Sequence, residues 1–524
     1  MLRLLCFFLF SLILVPSLSA QKRAYRTPEF ARNWGAAGAH PDHIVLNLTA
    51  DPAHSMSVTW RTNADVPSGY AEIALATGAP KFWRTAKTYK ARTETLDATQ
   101  VIGAETVNNY HAVTFTDLLP DTLYAYRVGD GRIWSEWIQF RTAPVEPRPF
   151  SFLYVGDAQN YVMELWSRLI REGYRKAPDA GFIIHAGDLI NTAHNEREWH
   201  EWFMAGSFIH AMLPSVSTPG NHEYRPRTRF DYDAGISELS VQWQPQFTLP
   251  QNGLPGLEET VYYLDYQNTR LISLNSNRMQ EEQVPWLREV LENNPKKWTI
   301  VTYHHPLYSA SAGRNNERLR NLWKPVFDEF GVDLVLQGHD HSYARGRADL
   351  PDKNVVAGLN ARDQYTGTVY VVSVSGGKMY NLRPDGWEDL EGATRDRGAE
   401  NTQLFQVITI DDDRLAFEAY TATGELYDAF DLLKASDDRP NTFIERKDEA
   451  IPARRHENTI PYEDSLTEEL EKMILKQYPG ATIGRVRYYD EPEFHGYTLR
   501  LYRKDGSRIN LRIDTQGNVL SEQR

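Results

Sequence analysis

Between residues 41 and 145 apolar and polar positions alternate. HIVLNLTA, SMSVTWRT, YAEIALAT, YHAVTFTDL, LYAYRVGD and EWIQFRTA all keep this pattern, with turn residues between them. Period two marks half-buried antiparallel strands, and six short ones predict a small β sandwich. Trp60 in SVTW reads as its core anchor. After the stiff, proline-rich APVEPRP the pattern changes to unbroken apolar runs, SFLYV, GFIIHA, WTIVTY and DLVLQ, separated by helical segments. One such segment spans 162–176, with Leu165, Leu169 and Ile170 on one face. Runs apolar on both faces and alternating with helices predict a mostly parallel sheet, here an α/β domain over 146–436. TRLISLNS and TVYVVSVSGG add strands to it, and QLFQVITID, RLAFEAYTA and LYDAFDLLK predict a closing meander. A polar linker follows at 437–460. SLTEELEKMILKQYPGA then places Leu466, Leu470, Met473 and Ile474 on one helical stripe ended by Gly480. TIGRVRYYD, FHGYTLRLYRKDG, SRINLRIDTQG and NVLSEQR read as strands after it, so 461–524 is expected to be a small α+β domain.

The amino-terminal end sets the compartment. Residues 1–20 hold Arg3, the apolar run LLCFFLFSLILV and the small-residue end Ser17-Leu18-Ser19-Ala20, which predicts a cleavable secretory signal and a secreted or periplasmic protein. The run is shorter than a bilayer span requires, so no membrane span is expected after cleavage. Residues 21–40 read as a linker. Cys6, the sole cysteine, lies inside the signal, which removes disulfides and thiol chemistry from the mature chain. A net charge of -13 argues against nucleic acid as a partner.

Candidate chemistry sits where the apolar runs end. Gly156-Asp157, Gly187-Asp188, Tyr303-His304-His305-Pro306 and Gly338-His339-Asp340-His341 each follow one directly, while Gly220-Asn221-His222-Glu223 follows the alternating SVSTP. Ligand sites in parallel sheets lie off the carboxyl ends of the strands, so the topology gathers carboxylate, amide and imidazole donors at one edge. Two ions about 3.5–4 Å apart can clamp the attacking and leaving oxygens of a phosphoryl transfer. Mixed nitrogen and oxygen donors without thiolate suit iron, zinc or manganese. His185, His194, His200 and His210 read instead as interior histidines.

The order Asp, Gly-Asp, Gly-Asn-His-Glu, His-x-Pro, Gly-His-x-His resembles the metallophosphoesterases, and within them the purple acid phosphatases. The sandwich is similar to the fibronectin type III-like module of plant-type members, and the carboxyl-terminal domain resembles PepSY-like domains. The resemblance implies two face-to-face mixed sheets flanked by helices for the central domain. It further implies that Asp157, Asp188 and His341 bind a first metal, that Asp188 bridges, and that Asn221, His304 and His339 bind the second. His222 would contact the phosphate. Three positions depart from the family. A tyrosinate expected three residues past the bridging aspartate is Asn191, the Asp-x-His of the non-purple branch reads Asp157-Ala158-Gln159, and a histidine pair of plant-type members is Gly313-Arg314. No purple band is therefore expected, and an amide oxygen of Gln159 or Asn191 could fill the vacant ligand place. Arg314, Asn315, Tyr224 and His222 are the candidate substrate contacts, with proton donation left to His222, His305 or water.

The resulting expectation is a secreted phosphomonoesterase using two divalent ions (iron, zinc or manganese), with hydroxide from the metal pair attacking phosphorus in line. A phosphodiesterase or nucleotide pyrophosphatase on the same metals is the first alternative, and a binding protein with a vestigial centre the second. A pocket narrowed by Trp202, Tyr224 and Trp243 would favour monoesters. The carboxyl-terminal domain is read as a regulatory or protein-binding appendage, with a structural cap as the equal alternative.

Overall fold

The computed structural model describes residues 34–104, 106–311, 313–350, 365–383, 385–435, 440–446, 466, 468–491, 494–503 and 507–523. The expected signal, most of the 21–40 linker and residues 447–460 lie outside that set.

Three short strands form the centre of the first sheet. Phe150–Val155, Ile183–His185 and Ser215–Ser217 pair in parallel, with Leu153 opposite Ile183 and Ile183 opposite Ser215. The alternating SVSTP is thus a buried strand like its neighbours, although its serines are polar. On one side the meander Leu404–Asp411, Arg414–Thr421 and Leu426–Leu433 continues the sheet. The linker expected at 437–460 contains a further strand, Asn441–Glu445, paired to Leu426–Leu433. NTFIE lies second from the edge, between Leu426–Leu433 and Tyr365–Thr366, and has little apolar content, so no periodicity announced it.

On the other side the sheet does not stop at a domain boundary. Asp42–Asn47 pairs in parallel with Ser215–Ser217 at Asn47 and Ser215, and Met56–Asn63, Val107–Phe115 and Arg92–Asp97 follow. One face of the sandwich is therefore the edge of a twelve-stranded sheet. Its second face is Lys87–Lys90, Tyr70–Leu75, Leu123–Gly129 and Ile138–Arg141. Buried residues from Trp60 and Tyr126 through Trp166, Trp199 and Trp202 to Trp298 belong to one apolar cluster. APVEPRP is held rather than free to hinge: the Arg148 N–H donates to Gln267 Oε1 (2.8 Å) and its guanidinium pairs with Asp121. Trp202 and Trp243 are fully buried in this core, so the pocket walls expected from them are elsewhere. His185 and His210 lie beside Trp166 and Trp202, where burial favours their neutral forms.

The second sheet orders Tyr262–Tyr266, Thr269–Ser273, Trp298–Tyr303, Leu334–Gln337, Val369–Val372, Tyr343–Ala348 and Ala393–Ala399. Its four central neighbours, from Thr269–Ser273 to Val369–Val372, run parallel. Arg345 joins the two sheets: fully buried, it reaches Asp428 on the first sheet at 2.9 Å, with Asp396 and Glu445 beside it. The expected helix at 162–176 is a π turn, Val162–Trp166, running into Ser167–Lys176, with Leu169 and Ile170 buried. The carboxyl-terminal domain is the helix Glu468–Gln477 with a four-stranded antiparallel sheet. Leu470 and Ile474 are buried there, while Met473, expected in the same stripe, is 43 % exposed. Among the described residues no helix is long and apolar enough to cross a membrane.

Candidate metal centre

Five strand ends deliver the predicted ligands to one point. Asp157 follows Phe150–Val155, Asp188 follows Ile183–His185, and Asn221 opens the short helical turn after Ser215–Ser217. His304 and His339 follow the parallel strands Trp298–Tyr303 and Leu334–Gln337 of the other sheet. Asp157, Asp188 and His339 have φ of 46°, 51° and 72°, a backbone region that non-glycine residues occupy at a cost and that clusters at functional sites. Ligand atoms of Asp157, Asp188 and His304 lie within 4.8 Å of one another. His304 Nε2 is 3.2 Å from Asp188 Oδ2, 3.1 Å from Asn221 Oδ1 and 3.1 Å from His339 Nδ1.

Hydrogen bonds aim these donors. His304 donates its Nδ1–H to the Ala186 carbonyl (2.9 Å) and His341 its Nδ1–H to the Lys378 carbonyl (2.8 Å). The opposite nitrogens, both Nε2, are left as lone pairs facing the centre. Asp157 Oδ2 accepts the His339 N–H at 2.7 Å, whereas its buried Oδ1 has no hydrogen-bond partner and lies 3.9 Å from His341 Nε2. Glu223 closes the loops, its carboxylate accepting N–H groups of Gly220 (2.6 Å), Leu189 (2.8 Å) and Asp188 (2.9 Å). Burial, reinforced by Asp188, pushes the Glu223 carboxyl up to about 8.

The electrostatics call for cations. Burial holds Asp157 well above the usual carboxylate range, against His304 and with the help of the Asp188 charge. Asp188 is buried too, yet His304 and His222 hold it below that range. Burial also drives His339 and His341 well below the ordinary imidazole value, with Arg314 and Lys378 adding to it. Against the ring's own burial, Asp188 raises His304 to about 9, so that ring holds a proton where a cation would sit. Neutral His339 and His341 and an orphaned carboxylate oxygen complete a donor set that fits a divalent pair.

Several candidate contacts have other tasks. His222 donates Nδ1–H to the Asn191 carbonyl (2.6 Å), leaving Nε2 4.0 Å from Asp188 Oδ2. Asn191 thus reaches the site through its backbone. Gln159 does reach two of the candidate ligands, but as a donor: its amide nitrogen lies 2.6 Å from Asp188 Oδ2 and 3.2 Å from His341 Nε2. Its oxygen accepts from Lys378 Nζ at 3.4 Å, which is why that oxygen does not point inward. Arg314 gives Nη1 to the His339 carbonyl (2.9 Å) and Asp340 Oδ1 (2.8 Å), and so fixes the loop carrying two ligands. Asn315 accepts from Arg320 (3.0 Å), and the Tyr224 hydroxyl accepts from Asn275 (2.8 Å). His305 Nδ1 lies 2.9 Å from Ser276 Oγ, and burial, then His304, pushes the ring down to about 3, which makes it a poor proton donor.

Lys378 is the residue that sequence reasoning missed. It belongs to SVSGGKMY, just past Val369–Val372, the last of the four parallel strands of the second sheet. Position after a strand end was the available signal, but a lone lysine matches no ligand motif.

Comparison with known proteins agrees with this geometry. The profile described as Purple acid Phosphatase, N-terminal domain matches residues 41–142, and Calcineurin-like phosphoesterase matches 150–343. Acid phosphatase type 7 of Danio rerio is 31% identical over 342 residues, 59% of this chain and 72% of that protein. Fe(3+)-Zn(2+) purple acid phosphatase 12 of Arabidopsis thaliana is 27% identical over 53% of this chain and 64% of that protein. In fold, the chain is similar to the purple acid phosphatase PPD1 of yellow lupin, with a TM-score of 0.61, 20% identity, and 76% and 75% of the two chains covered.

Proposed function

This chain belongs to the purple acid phosphatase family of metallophosphoesterases, and on that premise we propose how its own residues divide the work of a phosphomonoesterase. It is a hydrolase with a binuclear centre of divalent metals. The carrying observation is the convergence of Asp157, Asp188 and His304, with the partnerless Asp157 Oδ1 3.9 Å from His341 Nε2. Asp157, Asp188 and His341 would hold one ion, Asn221, His304 and His339 the other, with Asp188 shared. When bound, the metals supply Lewis acidity and an activated water. His222 faces the phosphoryl group through Nε2, its ring fixed by the Asn191 carbonyl. Because Nδ1 already donates there, Nε2 can give a proton only from the charged ring, and burial disfavours that form. Leaving-group protonation is thus divided between His222 and solvent.

Position 191 is a neutral amide rather than a phenolate, which favours two divalent ions over an iron(III) site and supports a colourless protein. Iron(II), zinc or manganese meets the donor set, in contrast to the Fe(3+)-Zn(2+) pair named for the Arabidopsis relative. The apolar run and small-residue end of 1–20 support export, which sequencing the mature amino terminus after Ser19 or Ala20 would test. Elemental analysis with a p-nitrophenyl phosphate assay on the same sample tests the activity. Near two metals per chain is expected, with turnover lost on chelation and restored by metal. Asp188→Asn or His304→Ala should abolish turnover and leave the circular dichroism unchanged; full activity in either defeats the assignment.

A further inference from the structure

We propose that Lys378 is a third cation of the phosphate site, binding a terminal oxygen of the substrate's phosphoryl group and selecting monoester dianions over diesters. This rests on the phosphomonoesterase reading and deepens it. The chain delivers Lys378 to the centre by close backbone packing. A Cβ at Gly376 would lie 2.4 Å from the Asp157 carbonyl, and one at Gly377 2.4 Å from Leu165 Cδ1. The Gly376 N–H donates to the Asp157 carbonyl at 2.9 Å, and His341 holds the Lys378 carbonyl at 2.8 Å. The lysine is therefore clamped between the loops of two first-metal ligands. Its half-buried ammonium lies 3.4 Å from Gln159 Oε1 and 5.6 Å from the Tyr380 ring centre. Among the described residues it makes no ion pair, although Asp157 and Asp188 are the nearest structural reason for a cation there. Gln159 links it to the proposed ligands, the far end of that amide lying 2.6 Å from Asp188 Oδ2 and 3.2 Å from His341 Nε2. A point charge held by one long contact to a neutral amide is free to take an anion.

The specificity follows from charge. A monoester dianion has three terminal oxygens and two charges, whereas a diester has two terminal oxygens and one charge. A metal pair and His222 can satisfy the diester. Only the monoester leaves an oxygen and a charge for Lys378. Arg314, expected in this role, is held by Asp340 and the His339 carbonyl instead.

The test compares Lys378→Met, Lys378→Arg and Gln159→Met with the wild type as full-length, metal-loaded protein. Metal content, inhibition by inorganic phosphate, and kcat/KM for p-nitrophenyl phosphate and its bis ester are measured. Lys378→Met should keep its metals, lose about 10–100-fold in monoester kcat/KM and bind phosphate correspondingly more weakly, as loss of a charged hydrogen bond does. Diester hydrolysis should change by less than about threefold, and Lys378→Arg should recover part of the loss. Unchanged phosphate inhibition, or equal losses on both esters, overturns the proposal. Metal loss in Lys378→Met matching that of Gln159→Met also overturns it, since the lysine would then act only by positioning the amide. Failure of the wild type to hold metal or turn over either ester overturns the phosphatase reading itself, and is read before any variant.

Discussion

At the residue scale the centre depends on places where no side chain fits. Gly220 is the sharpest case: a Cβ there would sit 2.1 Å from Asp188 Oδ1 and 2.5 Å from the Asp188 nitrogen. Neither atom can yield without moving the carboxylate proposed to bridge the two metals. Gly220→Ala should therefore lower metal affinity about 10–100-fold, as loss of ligand orientation does, with activity falling in parallel; elemental analysis after dialysis checks it. The six candidate ligands were legible because their residue types stand in a fixed order at strand ends. The roles of Arg314, Gln159 and Lys378 were not, since each depends on which neighbour takes its polar atoms. Asp340 takes the arginine, the amide oxygen takes the lysine, and both partners come from distant parts of the chain.

At the element scale the parallel strands were readable from apolar runs, and SVSTP only from its neighbours. Ser215–Ser217 is held by parallel pairing on both sides, a constraint that exists only once the sheet has assembled. Lys87–Lys90, Arg92–Asp97 and Asn441–Glu445 escaped notice because peripheral strands with exposed, charged side chains lack a buried face. The strand Tyr343–Ala348 carries a further cost in Arg345, whose charge is buried among Asp428, Asp396 and Glu445. Removing one member of such a network strands the others. Arg345→Met should destabilise the fold by about 3–5 kcal/mol in urea titration. Adding Asp428→Leu should recover much of that loss, because the orphaned carboxylate goes with it.

At the scale of the whole molecule the sandwich and the catalytic domain share a sheet and a core, and their seam is rich in buried histidine. His43 Nε2 lies 3.1 Å from His200 Nδ1, and Arg61 joins Asp42 to Glu196 beside them. Burial, then the Arg61 charge, pushes His200 down to about 4, and burial pushes His210 down to about 3. His43 is held well below its usual value by the same two causes. Below the unfolded value of about 6.5 the unfolded chain takes up protons that these rings refuse. Their contribution to stability is therefore present above pH 6.5 and lost as pH falls toward 4 and 3. Thermal midpoints should be flat near neutrality and decline from about pH 6.5 downward, and His200→Gln should flatten that decline. A midpoint that rises on acidification would contradict the assignment. By itself the sequence determined the fold class, the site edge and the six candidate ligands, because period, residue type and order are local properties of a chain. Only tertiary structure decided that the sandwich joins the catalytic sheet at Asn47 and Ser215, and that Lys378 stands beside Gln159 and His341. Pairing register and the destination of a long polar side chain are settled by what packs against them.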